Sequence, residues 1–288
     1  MGHAQIRRSA SWRWTICALV VVGALWAGFT PRASMFQQPK KVRLNKIIHL
    51  LEQGKPAMRM QDWLWIEGEH QPFDPKGFSV KVAEMLKDRD ADGRPRVTPL
   101  VRVPMDGDEI EHNKWVVKQV LDIGFMGIVF PHVDTKEQAM AAVRAVRYPQ
   151  QRTSKQPQPQ GVRGYGPGTA ATLWGLSVPE YIQRADVWPL NPNGEIFVMV
   201  MIESPLGAKN VREIAQVPGI SAVLLIPSDL ANALGLPPNE TGKNYPEVTA
   251  VWQAGLKACQ DFKVVCAVVD AVEKNLKQRL ADGFRVVG

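Results

Sequence analysis

From residue 35 onward, short apolar runs alternate with longer amphipathic segments. The runs cover 63–66, 97–103, 126–130, 196–202, 222–226, 263–269 and 284–287. Most are continuously apolar rather than alternating, as expected of parallel strands covered on both faces. Between them, helical periodicity is predicted over 78–87, 109–123, 136–146, 208–216, 247–262 and 271–281, with an earlier helix over 45–53. Asp134 and Glu137, three residues apart, have the spacing of a capping box. Strand–helix repetition with seven strands predicts an α/β chain closed into a (β/α)8 TIM-type barrel, with an open doubly wound sheet as the alternative. A chain of 288 residues, 45% of them hydrophobic, can bury such a core as one domain.

The first βα unit does not fit the pattern. Residues 55–60 could form a strand, yet the next begins at Trp63. Parallel neighbours need a crossover of roughly a dozen residues, so either the first strand is absent or this segment does something else. Residues 150–160, rich in Gln and Pro, read as a flexible surface loop. The glycine-rich stretch after it, 163–168, is expected neither to follow a strand nor to open a helix, as a dinucleotide fingerprint requires.

Residues 1–34 are predicted to be a separate leader, with the barrel over 35–288. Arg7, Arg8 and Arg13 precede an uncharged apolar stretch whose centre is 16–29, the pattern of a signal peptide or an uncleaved membrane anchor. Export to the periplasm or medium, or attachment to the membrane by this leader alone, is the expectation. Four of the seven net positive charges lie within residues 1–33, and no basic run interleaved with aromatics follows, which argues against nucleic acid. Cys259 and Cys266 match no zinc spacing. They read as two buried thiols, or as a pair if the protein is exported.

Polar groups end several of the apolar runs. Glu67-Gly68-Glu69-His70 follows the first, Arg102 lies at the end of the second, Glu203 follows 196–202, and Pro227-Ser228-Asp229 follows 222–226. In a barrel these carboxyl ends converge on one mouth, where active sites are built. Glu203 and Asp229, from consecutive strands, could share one divalent ion; equally, both could be ordinary strand-end carboxylates. His132, at another strand end, reads as structural or pocket-lining.

Taken in order, Glu67-Gly68-Glu69-His70, Pro99-Leu100-Val101-Arg102-Val103-Pro104, Val120-Leu121-Asp122-Ile123-Gly124, Gly127-Ile128-Val129-Phe130-Pro131, Arg147-Tyr148-Pro149, Arg163-Gly164, Met201-Ile202-Glu203 and Pro227-Ser228-Asp229-Leu230 resemble the HpcH/HpaI aldolase/citrate lyase family. The resemblance covers roughly 42–288. It implies a metal-dependent, class II pyruvate aldolase that reversibly cleaves 4-hydroxy-2-oxo acids to pyruvate and an aldehyde. It further implies Mg2+ or Mn2+ held by Glu203 and Asp229, His70 as general base, and Arg102 gripping the 2-oxo acid. Asp122 would raise the basicity of His70, and Ser228 and Asp229 would contact substrate. A homo-oligomer is also implied. Departures from the family pattern are Met201 in place of glutamine, Ile226 in place of glycine, Glu67 where many members carry Asp, and the missing first βα unit. Two rival expectations stand beside the aldolase: a CoA-thioester lyase of citrate or malyl type, which the Glu69-His70 pair disfavours, and a catalytically weakened, exported 2-oxo-acid-binding protein.

Overall fold

The computed structural model describes residues 42–237, 245–269 and 273–288; the leader expected over 1–34 lies outside them. In chain order the elements are α1 (Lys46–Glu52), β1 (Ala57–Met58), β2 (Trp63–Glu67), α2 (Pro75–Lys87), β3 (Thr98–Arg102), α3 (Ile110–Asp122), β4 (Gly127–Phe130), α4 (Lys136–Val146), α5 (Gly168–Trp174), α6 (Val178–Arg184) and β5 (Val187–Trp188). They continue with β6 (Ile196–Ile202), α7 (Pro205–Ala215), β7 (Ala222–Leu225), α8 (Pro227–Ala233), α9 (Pro246–Phe262), β8 (Val265–Val268), α10 (Glu273–Asp282) and β9 (Val286–Val287).

Every strand pairing is parallel, in the order β1-β9-β8-β7-β6-β4-β3-β2, with β5 an extra strand on β6. A single parallel bridge from Arg59 to Trp63 joins the two ends of that order. The eight-stranded (β/α) barrel is therefore nearly closed, in agreement with the pattern of apolar runs.

Alternation along the strands divides the core in two. In β6, Phe197, Met199 and Met201 belong to an inner cluster, while Ile196, Val198, Val200 and Ile202 belong to an outer one under the helices. Both faces are covered, so the strand is apolar at every position. Ile47 and Ile48 of α1 join the inner cluster beside Ala57, Trp63 and Ala222. The helix thus plugs the end of the barrel where the strands begin.

The irregular first unit resolves as a very short strand and a tight turn. Only Ala57 and Met58 pair with β9. The chain then doubles back through Met60, whose φ is 68°, and Asp62 N donates to Met58 O at 2.8 Å. Trp63 consequently starts β2 level with Arg59. Two parallel neighbours are connected without a helix because one is a stub offset along the barrel.

Other expectations are corrected by local contacts. The N-cap of α4 is Thr135, paired with Gln138 in a reciprocal box, one residue beyond the Asp134–Glu137 pair. Asp134 instead accepts from Ser204 Oγ at 2.5 Å. The stretch 150–160 has no helix or strand, yet Arg147 holds it through Pro159 O at 2.6 Å and Gln156 O at 3.0 Å. The glycine-rich stretch leads into α5, a helix the periodicity did not indicate. Cys259 and Cys266 are joined in a disulfide rather than standing as free thiols. Among the described residues no helix is long and apolar enough to cross a membrane.

Candidate active site

The carboxyl ends of β2, β3, β4, β6 and β7 open on one mouth. Glu67 and Arg102 are register partners at the ends of β2 and β3. That placement makes their ion pair a consequence of strand pairing. Arg102 Nε lies 3.0 Å and Nη2 2.5 Å from Glu67 Oε2, and Nη1 lies 2.7 Å from Glu69 Oε2. Glu67 Oε1 also accepts from the backbone amides of Glu69 at 2.8 Å and His70 at 3.1 Å. One carboxylate thereby sets both the guanidinium and the loop that carries His70. Burial would raise the Glu67 pKa, but hydrogen bonds from Arg102 and the two amides hold it below the usual carboxylate value. Gly68 is required by a close approach: a Cβ there would sit 2.7 Å from Arg102 O.

Glu203 follows β6 and is only 1% exposed. Its Oε1 accepts from His132 N at 2.7 Å, and His132 Nδ1 lies 3.8 Å from the same oxygen. His132 follows β4 with a left-handed φ of 46°, and this turn presents its own amide to Glu203. Burial above all pushes the Glu203 carboxyl up to about 7; Asp229 and Glu69 push the same way, against the His132 amide and ring. Asp229 lies in the first turn of α8, and Ser228 Oγ donates to its Oδ2 at 2.8 Å. Glu69 is also held above its ordinary pKa, first by burial and then by Glu67, against Arg102 and the neighbouring imidazoles.

His70 is the most open of these groups, its side chain 62% exposed, with Nε2 3.5 Å from Glu69 Oε2. Asp122 stands elsewhere. It ends α3, just before β4 begins, and its Oδ1 accepts from Arg163 Nη2 at 2.7 Å. Within one chain Asp122 and His70 therefore occupy opposite ends of the barrel, because a helix returning to the next strand finishes where strands start. The carboxylate beside His70 is Glu69.

A second set of ligand-type atoms adjoins the first: Glu69, Asp106 and His132 each offer one atom within 4.8 Å of the others. Sequence reasoning missed Asp106 and gave His132 no chemistry. Asp106 follows no apolar run directly, and a backbone donor created by a left-handed turn leaves no trace in residue type. Buried Glu203, pressed by two further carboxylates, fits a cation. Carboxylate oxygens with at most one imidazole suit Mg2+ or Mn2+, which keep positions for water and substrate.

Comparison with known proteins agrees with this geometry. The family model described as HpcH/HpaI aldolase/citrate lyase matches residues 53–288. A hydroxypyruvate/pyruvate aldolase from Deinococcus radiodurans is 39% identical over 175 residues, 60% of this chain and 52% of that protein, so the match spans about half the relative's length. A 5-keto-4-deoxy-D-glucarate aldolase from Citrobacter koseri is 32% identical over 226 residues, 78% of this chain and 75% of the relative. Among solved structures, an HpcH/HpaI aldolase/citrate lyase family protein from Burkholderia cenocepacia has a TM-score of 0.65 at 26% identity, covering 84% of this chain and 91% of that one.

Proposed function

The chain belongs to the HpcH/HpaI aldolase/citrate lyase family, and from that footing we propose that it is a divalent-metal-dependent aldolase. The reaction is the reversible cleavage of a 4-hydroxy-2-oxo acid to pyruvate and an aldehyde. Relatives bearing the names hydroxypyruvate/pyruvate aldolase and 5-keto-4-deoxy-D-glucarate aldolase support 2-oxo acids as the substrate class. The observation that carries the reading is Glu203, a carboxylate almost sealed from solvent yet repelled by the charges of Asp229 and Glu69. Such a cluster is costly unless a cation compensates it.

Glu203 and Asp229 would hold Mg2+ or Mn2+, which supplies Lewis acidity toward the oxygens of a bound 2-oxo acid. Arg102, fixed by Glu67, aims a preset cation at the oxyanion that develops when the carbon–carbon bond breaks. Its Nη1 lies 2.7 Å from Glu69 Oε2, so a bound substrate would share that donor with Glu69. His70 accepts the 4-hydroxyl proton during cleavage and returns it during condensation. Glu69 orients that imidazole, and the Ser228 amide, in the first turn of α8, receives a substrate carboxylate. Met201 and Ile226 lie in the inner cluster and give this site an apolar floor. Passage across or attachment to a membrane through the leader is part of the same proposal, as is assembly with further copies.

Pyruvate, Mn2+ and a panel of aldehydes are expected to give condensation that a chelator stops. Glu203→Gln and His70→Ala are each expected to lower kcat/KM by roughly a hundred-fold or more. Undiminished turnover in chelator-treated Glu203→Gln protein would overturn the metal assignment. Pyruvate binding with no turnover of any aldehyde would instead support the binding-protein reading.

A further inference from the structure

One covalent tie lies outside the candidate site but directly behind it. The helix α9 packs on β7 and β8, and Cys259 near its end is bonded to Cys266 of β8. Cys266 is the register partner of Val223, and Val223 and Leu225 face the same outer cluster two residues apart. Leu225 ends β7. From it the chain passes through Ile226 and Pro227 into α8, whose first turn carries Ser228 and Asp229.

Little else holds α9. Four of its seventeen residues are buried, Val248, Gly255, Ala258 and Cys259, and of these only Val248 has a branched side chain. Trp252, Leu256 and Phe262 add partly buried contacts. Gly255 is pressed against the end of β7: a Cβ there would meet Leu225 Cδ1 and Cδ2 at 2.7 Å. Nearer the mouth, Val248 packs with Leu230 and Ala231 of α8. The helix thus backs both the strand end and the short helix that place Asp229, through a thin apolar seam. The disulfide pins that seam at one end. Its sulfurs are sealed, with Cys259 4% and Cys266 3% exposed, so a reductant reaches them only when α9 lifts.

We propose that the Cys259–Cys266 disulfide is a redox latch on the metal site: it holds α9 against Leu225 and α8, and its reduction loosens Asp229 and weakens cation binding. This control rests on the reading of Glu203 and Asp229 as metal ligands. The chemical step is exchange with a dithiol. One thiolate of the dithiol attacks a sulfur of the pair, the S–S bond breaks, and the second thiolate resolves the mixed disulfide. Two electrons and two protons pass to Cys259 and Cys266, which become thiols, while the dithiol becomes a disulfide. Cation and disulfide both favour the seated helix, so each stabilises the other by the same factor. In an oxidising compartment the latch is set and the site is ready for metal; among reduced thiols it is slack.

Calorimetric titration of Mn2+ tests this with three samples: oxidised protein, protein reduced by dithiothreitol and freed of it under argon, and Cys259→Ala/Cys266→Ala. The reduced protein and the variant are each expected to bind about ten-fold more weakly than the oxidised protein. Saturating Mn2+ should shift the dithiothreitol equilibrium toward the oxidised protein by that same factor. Equal affinity in the oxidised and reduced forms, or a variant that matches the oxidised protein, would overturn the proposal. Amide hydrogen exchange, read in parallel, should quicken about ten-fold in α8 on reduction while β6 keeps its rates. Unchanged rates in α8, or the same rise in β6, would overturn it too. If Mn2+ binds none of the three samples, the metal reading fails on its own and the exchange rates alone decide the latch. If the variant does not fold, the two redox forms of wild type carry both measurements.

Discussion

Glu67 and Asn45 show how single residues fix the two ends of the barrel. Glu67 joins Arg102 to the amides of Glu69 and His70, so the positions of an electrophilic and a basic group depend on one carboxylate. At the opposite end Asn45 is fully buried; its side-chain amide donates to Met126 O and Glu195 O, both at 3.0 Å, while its Oδ1 caps α1 at Ile48 N. Asn45→Ala would strand two buried carbonyls and uncap the plug, a loss of about 2–4 kcal/mol. Equilibrium urea unfolding checks this, and an unchanged midpoint would contradict it. Residues whose place at the mouth is announced by the end of an apolar run were legible in the sequence: Arg102, Glu203, Asp229 and the Glu67–His70 group. His132 acts on Glu203 through a backbone amide. That cause is not written in residue type or spacing. Asp122 was given its role beside His70 by resemblance alone, and within one chain the direction of α3 takes it to the other end.

Among the elements, helix positions followed periodicity closely because each helix buries one stripe. The predicted 136–146 coincides with α4, whose Ala139, Ala142, Val143 and Val146 are buried. The short α5, α6 and α8, of seven residues each, were not indicated by periodicity, although α1 of the same length was. The capping box of α4 slipped by one because Asp134-x-x-Glu137 and Thr135-x-x-Gln138 are both plausible, and a tertiary bond from Ser204 settles the choice. The Cys259–Cys266 disulfide ties the end of α9 to β8 across a separation of seven residues. Closing so short a loop is worth about 2 kcal/mol in the chain-entropy description. Reduction is expected to lower the urea midpoint accordingly. A Cys259→Ser/Cys266→Ser double variant as stable as oxidised wild type would contradict that expectation. Spacing could not reveal the pairing, because it depends on how α9 turns into β8.

For the whole molecule, the alternation of apolar runs and amphipathic helices foretold a parallel ring with two cores, and the described residues form one. Closure through a stub was not legible, since a four-residue link between parallel neighbours conflicts with the usual crossover. An offset start resolves the conflict: Trp63 begins level with Arg59, not with Ala57. The ring then gathers acids on β6 and β7 and a cation on β3 around one mouth. In the proposed reading a divalent cation joins the acidic side and offsets the repulsion among its carboxylates. Diffraction from crystals soaked in Mn2+, collected at the manganese absorption edge, tests this most directly. A single strong anomalous peak between the carboxylates of Glu203 and Asp229 is the predicted result. No peak there, or a peak confined to Glu69, Asp106 and His132, would contradict it.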